Sequence, residues 1–293
     1  MLMKKPEDFI FPAPNFSINT IEKYKEYIIE IPTGRKNEQN IEEKIPCLFQ
    51  KYPKSKNLLI AFHCNGIDMF SSFSLVIQIG KKYKMSVLVP EYPGYSLYNY
   101  PKSSDKCMEN SVIIYDFVIN NMKNISEKNI YVFGRSLGTG PAIYLASKRN
   151  PAGVFLLSPY TTFAEVGKRF HEINFYNELT KHLRAIDYIG QIKCPICIFH
   201  GKDDQLIYSS EAEKLFEKCE KNNIKELHMI DDMGHNDVYY YSKKMFSLAK
   251  QFINKYCPMD ELNKDECELD LDKKYYYNTE KKEEDEENDL DLK

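Results

Sequence analysis

The sequence predicts an α/β fold: a mostly parallel central sheet with helices on both faces and a short lid. Three observations carry it. From residue 57 onward, short apolar runs alternate with segments of helical spacing. Runs such as Leu58-Leu-Ile-Ala-Phe62 are apolar without interruption, the mark of a strand buried on both faces. One long interval, about residues 159–193, contains no strand and sits where a lid would be inserted.

The elements follow in order. Residues 27–31 and 46–50 read as an antiparallel edge pair that precedes the series. Strands are then expected at 58–62, 86–89, 130–133, 154–157, 196–199 and 227–230. Helices are expected between them at 70–83, 107–122, 137–148, 210–219 and 239–255; Val112, Tyr115, Asp116 and Ile119 mark the period of the second. The folded body is placed at residues 1–257. Residues 258–293, with 15 Asp/Glu against 6 Lys, read as an acidic, disordered tail.

Composition narrows the function classes. With 43% hydrophobic and 28% charged residues, the chain has material for a sizeable core and is not collagen-like, mucin-like or wholly disordered. No apolar run approaches the roughly 18 residues of a membrane helix. The opening residues turn acidic and reach Pro6 early, unlike a secretory signal, and position 2 is Leu2 rather than a myristoylated glycine. A cytoplasmic protein is expected. Residues 1–257 carry 34 basic against 28 acidic groups, a mildly basic body that suits an anionic membrane surface, an acidic partner or the chain's own tail. Lysines are scattered rather than striped, so nucleic acid is not expected. The 8 cysteines read as free thiols. Cys194-Pro-Ile-Cys197 has redox and zinc spacing, but it runs into a strand and lacks a second ligand pair, so strand residues are expected there. No metal or cofactor is implied.

The chemistry concentrates at Gly134-Arg-Ser-Leu-Gly138, a G-x-S-x-G placed between a strand and a helix. Such a sharp turn lifts the central hydroxyl out of the sheet, and the following helix aims its free N–H groups at the same place. A serine nucleophile needs a base, and the base needs an orienting carboxylate. Asp204 follows the strand 196–199 and His235 follows the strand 227–230, so Ser136, Asp204 and His235 come in the required order, each past a strand's C-terminal end. Asp203 is the alternative acid and Asp187 a third. His63 and His200 close strands, His171 and His182 fall in the lid, and His228 lies within a strand, which makes them weaker bases. After the first central strand, His63-Cys-Asn-Gly66 supplies an oxyanion turn, whose donors are expected to be the backbone N–H groups of Asn65 and Leu137. Cys64 stands where glycine is usual, so the turn has to be reachable with negative φ or be strained.

These residues, with Pro90-Glu-Tyr-Pro-Gly-Tyr95 and Gly234-His-Asn-Asp237, resemble the α/β-hydrolase superfamily over about residues 10–255. Phe11-Pro-Ala-Pro14, Ile45-Pro-Cys47 and Ser158-Pro-Tyr-Thr161 are similar to the small-lidded eukaryotic branch of acyl-protein thioesterases, the depalmitoylases, and to protist hydrolases described as serine aminopeptidase-like. The resemblance implies a cofactor-free serine hydrolase of acyl esters or thioesters, with S-acylated proteins among its substrates and peripheral contact with membranes. The depalmitoylases also have an acylated cysteine-rich N-terminus, whereas the first cysteine here is Cys47. A carboxylesterase or lipase is the second reading, and an aminopeptidase with Glu165 and Glu172 as its amine-binding acids the third. A hydrolase-fold binding protein is the reading from another class.

Overall fold

Successive residues of a strand point to opposite faces, and along the central strands this sorts the core into two layers. The computed structural model describes residues 5–169, 176–219, 224–260 and 269–277. One sheet contains β1 (Ile28–Lys36), β2 (Glu42–Gln50), β3 (Leu58–Phe62), β4 (Ser86–Pro90), β5 (Ile130–Arg135), β6 (Gly153–Leu157), β7 (Ile196–Gly201) and β8 (Lys225–Ile230). The order across it is β1-β2-β4-β3-β5-β6-β7-β8. β2 pairs antiparallel with both β1 and β4, and every other pairing is parallel. The chain moves outward from β3 to β4 and then back past β3 to β5. The crevice beyond the C-terminal ends of β3 and β5 is therefore the point of topological reversal, where parallel sheets bind ligands.

The helices are α1 (Pro6–Ile10), α2 (Asn19–Tyr24), α3 (Met69–Tyr83), α4 (Ser104–Asn121), α5 (Thr139–Lys148), α6 (Phe163–Gly167), α7 (Tyr176–Leu179), α8 (Ser209–Lys218) and α9 (Val238–Tyr256). Leu59, Ala61 and Tyr131 share one layer with Phe73 and Val76 of α3 and Met245 and Phe252 of α9. Leu58, Ile60 and Val132 share the other with Ile114 of α4, Ile143 of α5 and Leu215 of α8. The lid interval contributes α6, α7 and two short 3₁₀ turns.

Where boundaries differ from the sequence reading, side-chain caps explain it. The Ser103 hydroxyl accepts the Lys106 N–H at 3.2 Å and starts α4 three residues before the apolar period begins at Cys107. α5 begins at Thr139 because residues 136–138 form a 3₁₀ turn.

The tail differs from the expectation of disorder from residue 258. Leu269 and Leu271 are buried, and the Tyr275 ring meets Phe117 edge-on at 4.8 Å. Asp270 pairs with Lys51 at 3.1 Å, and the Tyr277 amide donates to the Ile28 carbonyl at 3.0 Å. Apolar residues spaced by two inside an acidic run give this stretch one face to bury, so it closes over the free edge of β1. No helix among the described residues is long and apolar enough to cross a membrane.

Candidate active site

β5 delivers its last residue, Arg135, into a turn where Ser136 adopts φ 51°. That left-handed conformation is unfavourable for a serine, and it is over-determined by its neighbours. The flanking glycines permit the turn by absence: a Cβ on Gly134 would lie 2.5 Å from the Gly138 carbonyl, and one on Gly138 only 2.2 Å from the Phe62 carbonyl. The Thr139 hydroxyl donates to the Ser136 carbonyl at 2.7 Å and closes the turn.

The structure brings Ser136, Asp204 and His235 together. His235 Nε2 lies 3.0 Å from Ser136 Oγ, and His235 Nδ1 lies 2.7 Å from Asp204 Oδ2. The other oxygen of Asp204 accepts the backbone N–H groups of Leu206 at 2.9 Å and Ile207 at 2.8 Å. His200, read from sequence as a strand-end residue with a structural bond, donates to the Ile207 carbonyl at 2.8 Å and comes within 3.5 Å of Asp204 Oδ2. It is a missed member of the site's support, hidden because a histidine at a strand end carries no motif. Arg135 reaches the His235 carbonyl at 3.3 Å, and the Gly234 N–H donates to Asp237 at 2.9 Å, so the histidine loop is held at both ends.

Burial alone would raise the Asp204 carboxyl, but hydrogen bonds from His200 and His235, together with the charge of His235, hold it well below the usual carboxylate range. A carboxyl lowered by folding stabilises the fold above its unfolded value, here 3.8, and loses that contribution as pH falls toward the folded value. The advantage of wild type over Asp204→Asn in urea unfolding is therefore expected to be constant from about pH 7 to 5 and to shrink below about pH 4. Parallel stability curves for the two proteins down to about pH 3 would contradict this assignment.

Asn65 and Leu137 flank Ser136 on the wall of a cleft of about 290 Å³. Cys64 and Asn65 keep negative φ, and the turn's positive φ, 73°, falls on Gly66. The turn is thus reached with Cys64 at negative φ, where glycine is usual. Phe9, Pro12, Tyr160, Phe163, Val166 and Ile207 give the cleft an apolar lining. The N-terminal contribution of Asp8, Phe9 and Pro12 was not legible in the sequence, since α1 has only five residues and no amphipathic period to read. A separate crevice of about 70 Å³ between α3, α9 and the sheet is lined almost wholly by apolar groups.

The remaining candidates are engaged elsewhere. His228 pairs with Glu226 at 3.1 Å, Asp187 with Arg184 at 2.5 Å, and Glu165 with Lys168 at 2.6 Å. His182 bonds Ser104 at 2.5 Å. Asp203 contributes its backbone to Met233. His171 and Glu172 lie outside the described residues. Cys197 is within β7, and burial raises the thiols of both Cys194, to about 12, and Cys197. The described residues hold no cluster of metal-ligating side chains.

A serine on a tight strand-to-helix turn at the reversal point, with a histidine and an acid on the loops after β8 and β7, can carry nucleophilic acyl transfer. This fold and site define a class, the hydrolases built on a doubly wound parallel sheet. The chain belongs to the α/β-hydrolase superfamily: over 189 residues it is 31% identical to a putative alpha/beta hydrolase of Acanthamoeba polyphaga mimivirus, spanning 64% of this chain and 69% of that one. Alpha/beta hydrolase domain-containing protein 17B of Homo sapiens is 29% identical over 217 residues, 72% of this chain and 71% of that one. The branch resembled in the sequence is that of these domain-containing 17 proteins. An esterase of Pyrococcus furiosus shares the fold, with TM-score 0.65 and 19% identity over 84% of this chain and 98% of that one. No family model matches the chain.

Proposed function

We propose that this hydrolase is a serine enzyme that cleaves acyl esters or thioesters through an acyl-enzyme. The observation that carries the reading is the line Ser136–His235–Asp204 opening onto an apolar cleft. Ser136 Oγ attacks the acyl carbonyl as His235 Nε2 takes its proton, and Asp204 stabilises the imidazolium. The Asn65 and Leu137 amides bind the oxyanion. The imidazolium then protonates the departing alcohol or thiol, and water releases the acid by the same route.

The lining favours a hydrocarbon acyl part, and the likeness to the acyl-protein thioesterase branch supports S-acylated proteins as the substrate class. A carboxylesterase is the alternative. The aminopeptidase reading is weakened because Glu165 is already paired with Lys168. Labelling by a fluorophosphonate probe, compared between wild type and Ser136→Ala, tests the reading. Loss of labelling in the variant is expected; absence of labelling in folded wild type would overturn it. Turnover of matched acyl thioesters and oxyesters then separates thioesterase from carboxylesterase.

The rings of Phe9 and Phe163 meet edge-on at 6.1 Å on the cleft wall. Phe163→Ala is expected to shift preference toward longer acyl chains by about tenfold across a p-nitrophenyl ester series, the scale on which apolar pockets discriminate. An unchanged chain-length profile would remove this ring from the acyl site.

Peripheral membrane contact is supported by Tyr239 and Tyr240, 72% and 83% exposed on the first turn of α9, a few residues past His235. Exposed tyrosines suit the headgroup level of a bilayer. Sedimentation with phosphatidylserine-containing vesicles is expected to fall in the double variant Tyr239→Ala and Tyr240→Ala. Equal sedimentation would refute this role for the pair.

A further inference from the structure

The proposed mechanism uses the backbone of Asn65 but says nothing about what holds it. β3 and β4 run parallel with Ile60 opposite Leu88, and the same register carried past their ends sets His63 beside Glu91. Both side chains are fully buried, with His63 Nε2 3.1 Å from Glu91 Oε1. Glu91 also receives the Tyr92 N–H at 3.0 Å, the Met69 N–H at 3.1 Å and the Ser96 hydroxyl. With His63 these contacts engage both oxygens of the Glu91 side chain. The other ring nitrogen of His63 faces the Cys64 carbonyl at 3.0 Å, and a carbonyl only accepts. Both ring nitrogens of His63 are thus engaged, one with Glu91 and the other with the Cys64 carbonyl.

The same loop grips the turn twice more. The Tyr92 hydroxyl donates to the His63 carbonyl at 2.7 Å, and the Tyr95 hydroxyl donates to Asn65 Oδ1 at 2.9 Å. Asn65 Oδ1 also accepts the Gly66 N–H at 2.9 Å, so this side chain is tied to the turn and to the loop together. A buried polar pair is weak evidence for stability, because well-packed apolar groups often serve as well. Its position directly behind the oxyanion turn gives it a different use.

We propose that Glu91, through its hydrogen bond with His63 and together with Tyr95, is a positioning residue that sets the Asn65 amide where a developing oxyanion will lie. This rests on the serine-hydrolase reading. The loop 91–95 acts as a brace from the neighbouring strand, and it holds in place a turn that carries Cys64 instead of glycine. An interaction made only with the transition state affects kcat rather than KM.

The test uses the full chain, a p-nitrophenyl ester and the fluorophosphonate probe, with wild type first. Glu91→Gln and Tyr95→Phe are expected to lower kcat and the labelling rate together by about 10- to 100-fold, with KM changed by less than about threefold. Asn129→Ala is the comparison: Asn129 is buried and bonded to Asp260 at the opposite end of the sheet, so the variant should lose stability while keeping kcat. Tyr95→Phe removes one hydroxyl and decides the matter should Glu91→Gln not fold. If folded Tyr95→Phe retains the kcat and labelling rate of Asn129→Ala, the brace is refuted while the serine reading stands. If wild type itself is neither active nor labelled, the serine reading fails and the brace falls with it.

Discussion

Asp204→Asn is expected to lower kcat/KM for ester hydrolysis by about 10,000-fold with little change in fold, the loss seen when a triad acid becomes an amide. The cause lies in the surroundings of the carboxylate. Its Oδ1 accepts two backbone N–H groups, from Leu206 and Ile207. An asparagine must set its oxygen there, which turns its NH₂ toward His235 Nδ1. The imidazole is then driven to carry its proton on Nε2, facing Ser136, and can no longer receive the serine proton. Asp203→Asn, on the neighbouring alternative acid, should retain near wild-type rates. Steady-state kinetics on both variants, with thermal unfolding alongside, is the measurement. A loss below about tenfold in Asp204→Asn would remove it from the proposed mechanism.

Gly138→Ala should be among the most damaging small substitutions in the molecule. Its Cβ would sit 2.2 Å from the Phe62 carbonyl oxygen and 2.7 Å from that of His63, both backbone atoms of the central sheet and its rim. A flexible side chain could move aside; the end of β3 cannot without displacing the oxyanion turn. The expected cost exceeds about 3 kcal/mol, read as a lowered urea midpoint or failure to accumulate soluble protein. Gly66→Ala is the informative contrast. Nothing lies within 4 Å of its would-be Cβ, and only its φ of +73° resists. Its cost should stay near about 1–2 kcal/mol. Equal costs at the two positions would mean that conformation rather than contact governs the turn.

The central strands were legible because burial on both faces leaves nothing polar to confuse the run, as in Leu58-Leu-Ile-Ala-Phe62. The edge hairpin was read short. β1 continues to Lys36 and β2 begins at Glu42, and these polar outer halves match no apolar template. Glu43 belongs to no motif, and it is buried between Arg35 at 2.8 Å and Lys106 at 3.2 Å. Ser136, Asp204 and His235 could be found because each sits at a fixed place in the alternation of strand and helix. The pairs that hold them could not. His63 and Glu91 are 28 residues apart and meet only through sheet register, and His200 meets Asp204 through the curl of one loop. Motifs record the residues that react, whereas their supports are set by tertiary contact alone.

The strap formed by Leu269–Tyr277 has a consequence for how the chain is made. β1 leaves the ribosome before the other strands of its sheet, but the residues that cover its outer edge are synthesised after the whole sheet. At ordinary elongation rates that edge waits on the order of ten seconds or more. During this interval a nascent chain offers unpaired N–H and C=O groups that any other strand can meet. The acidic run that carries the strap emerges after the sheet, so its arrival both seals the edge and offsets the basic charge of the body.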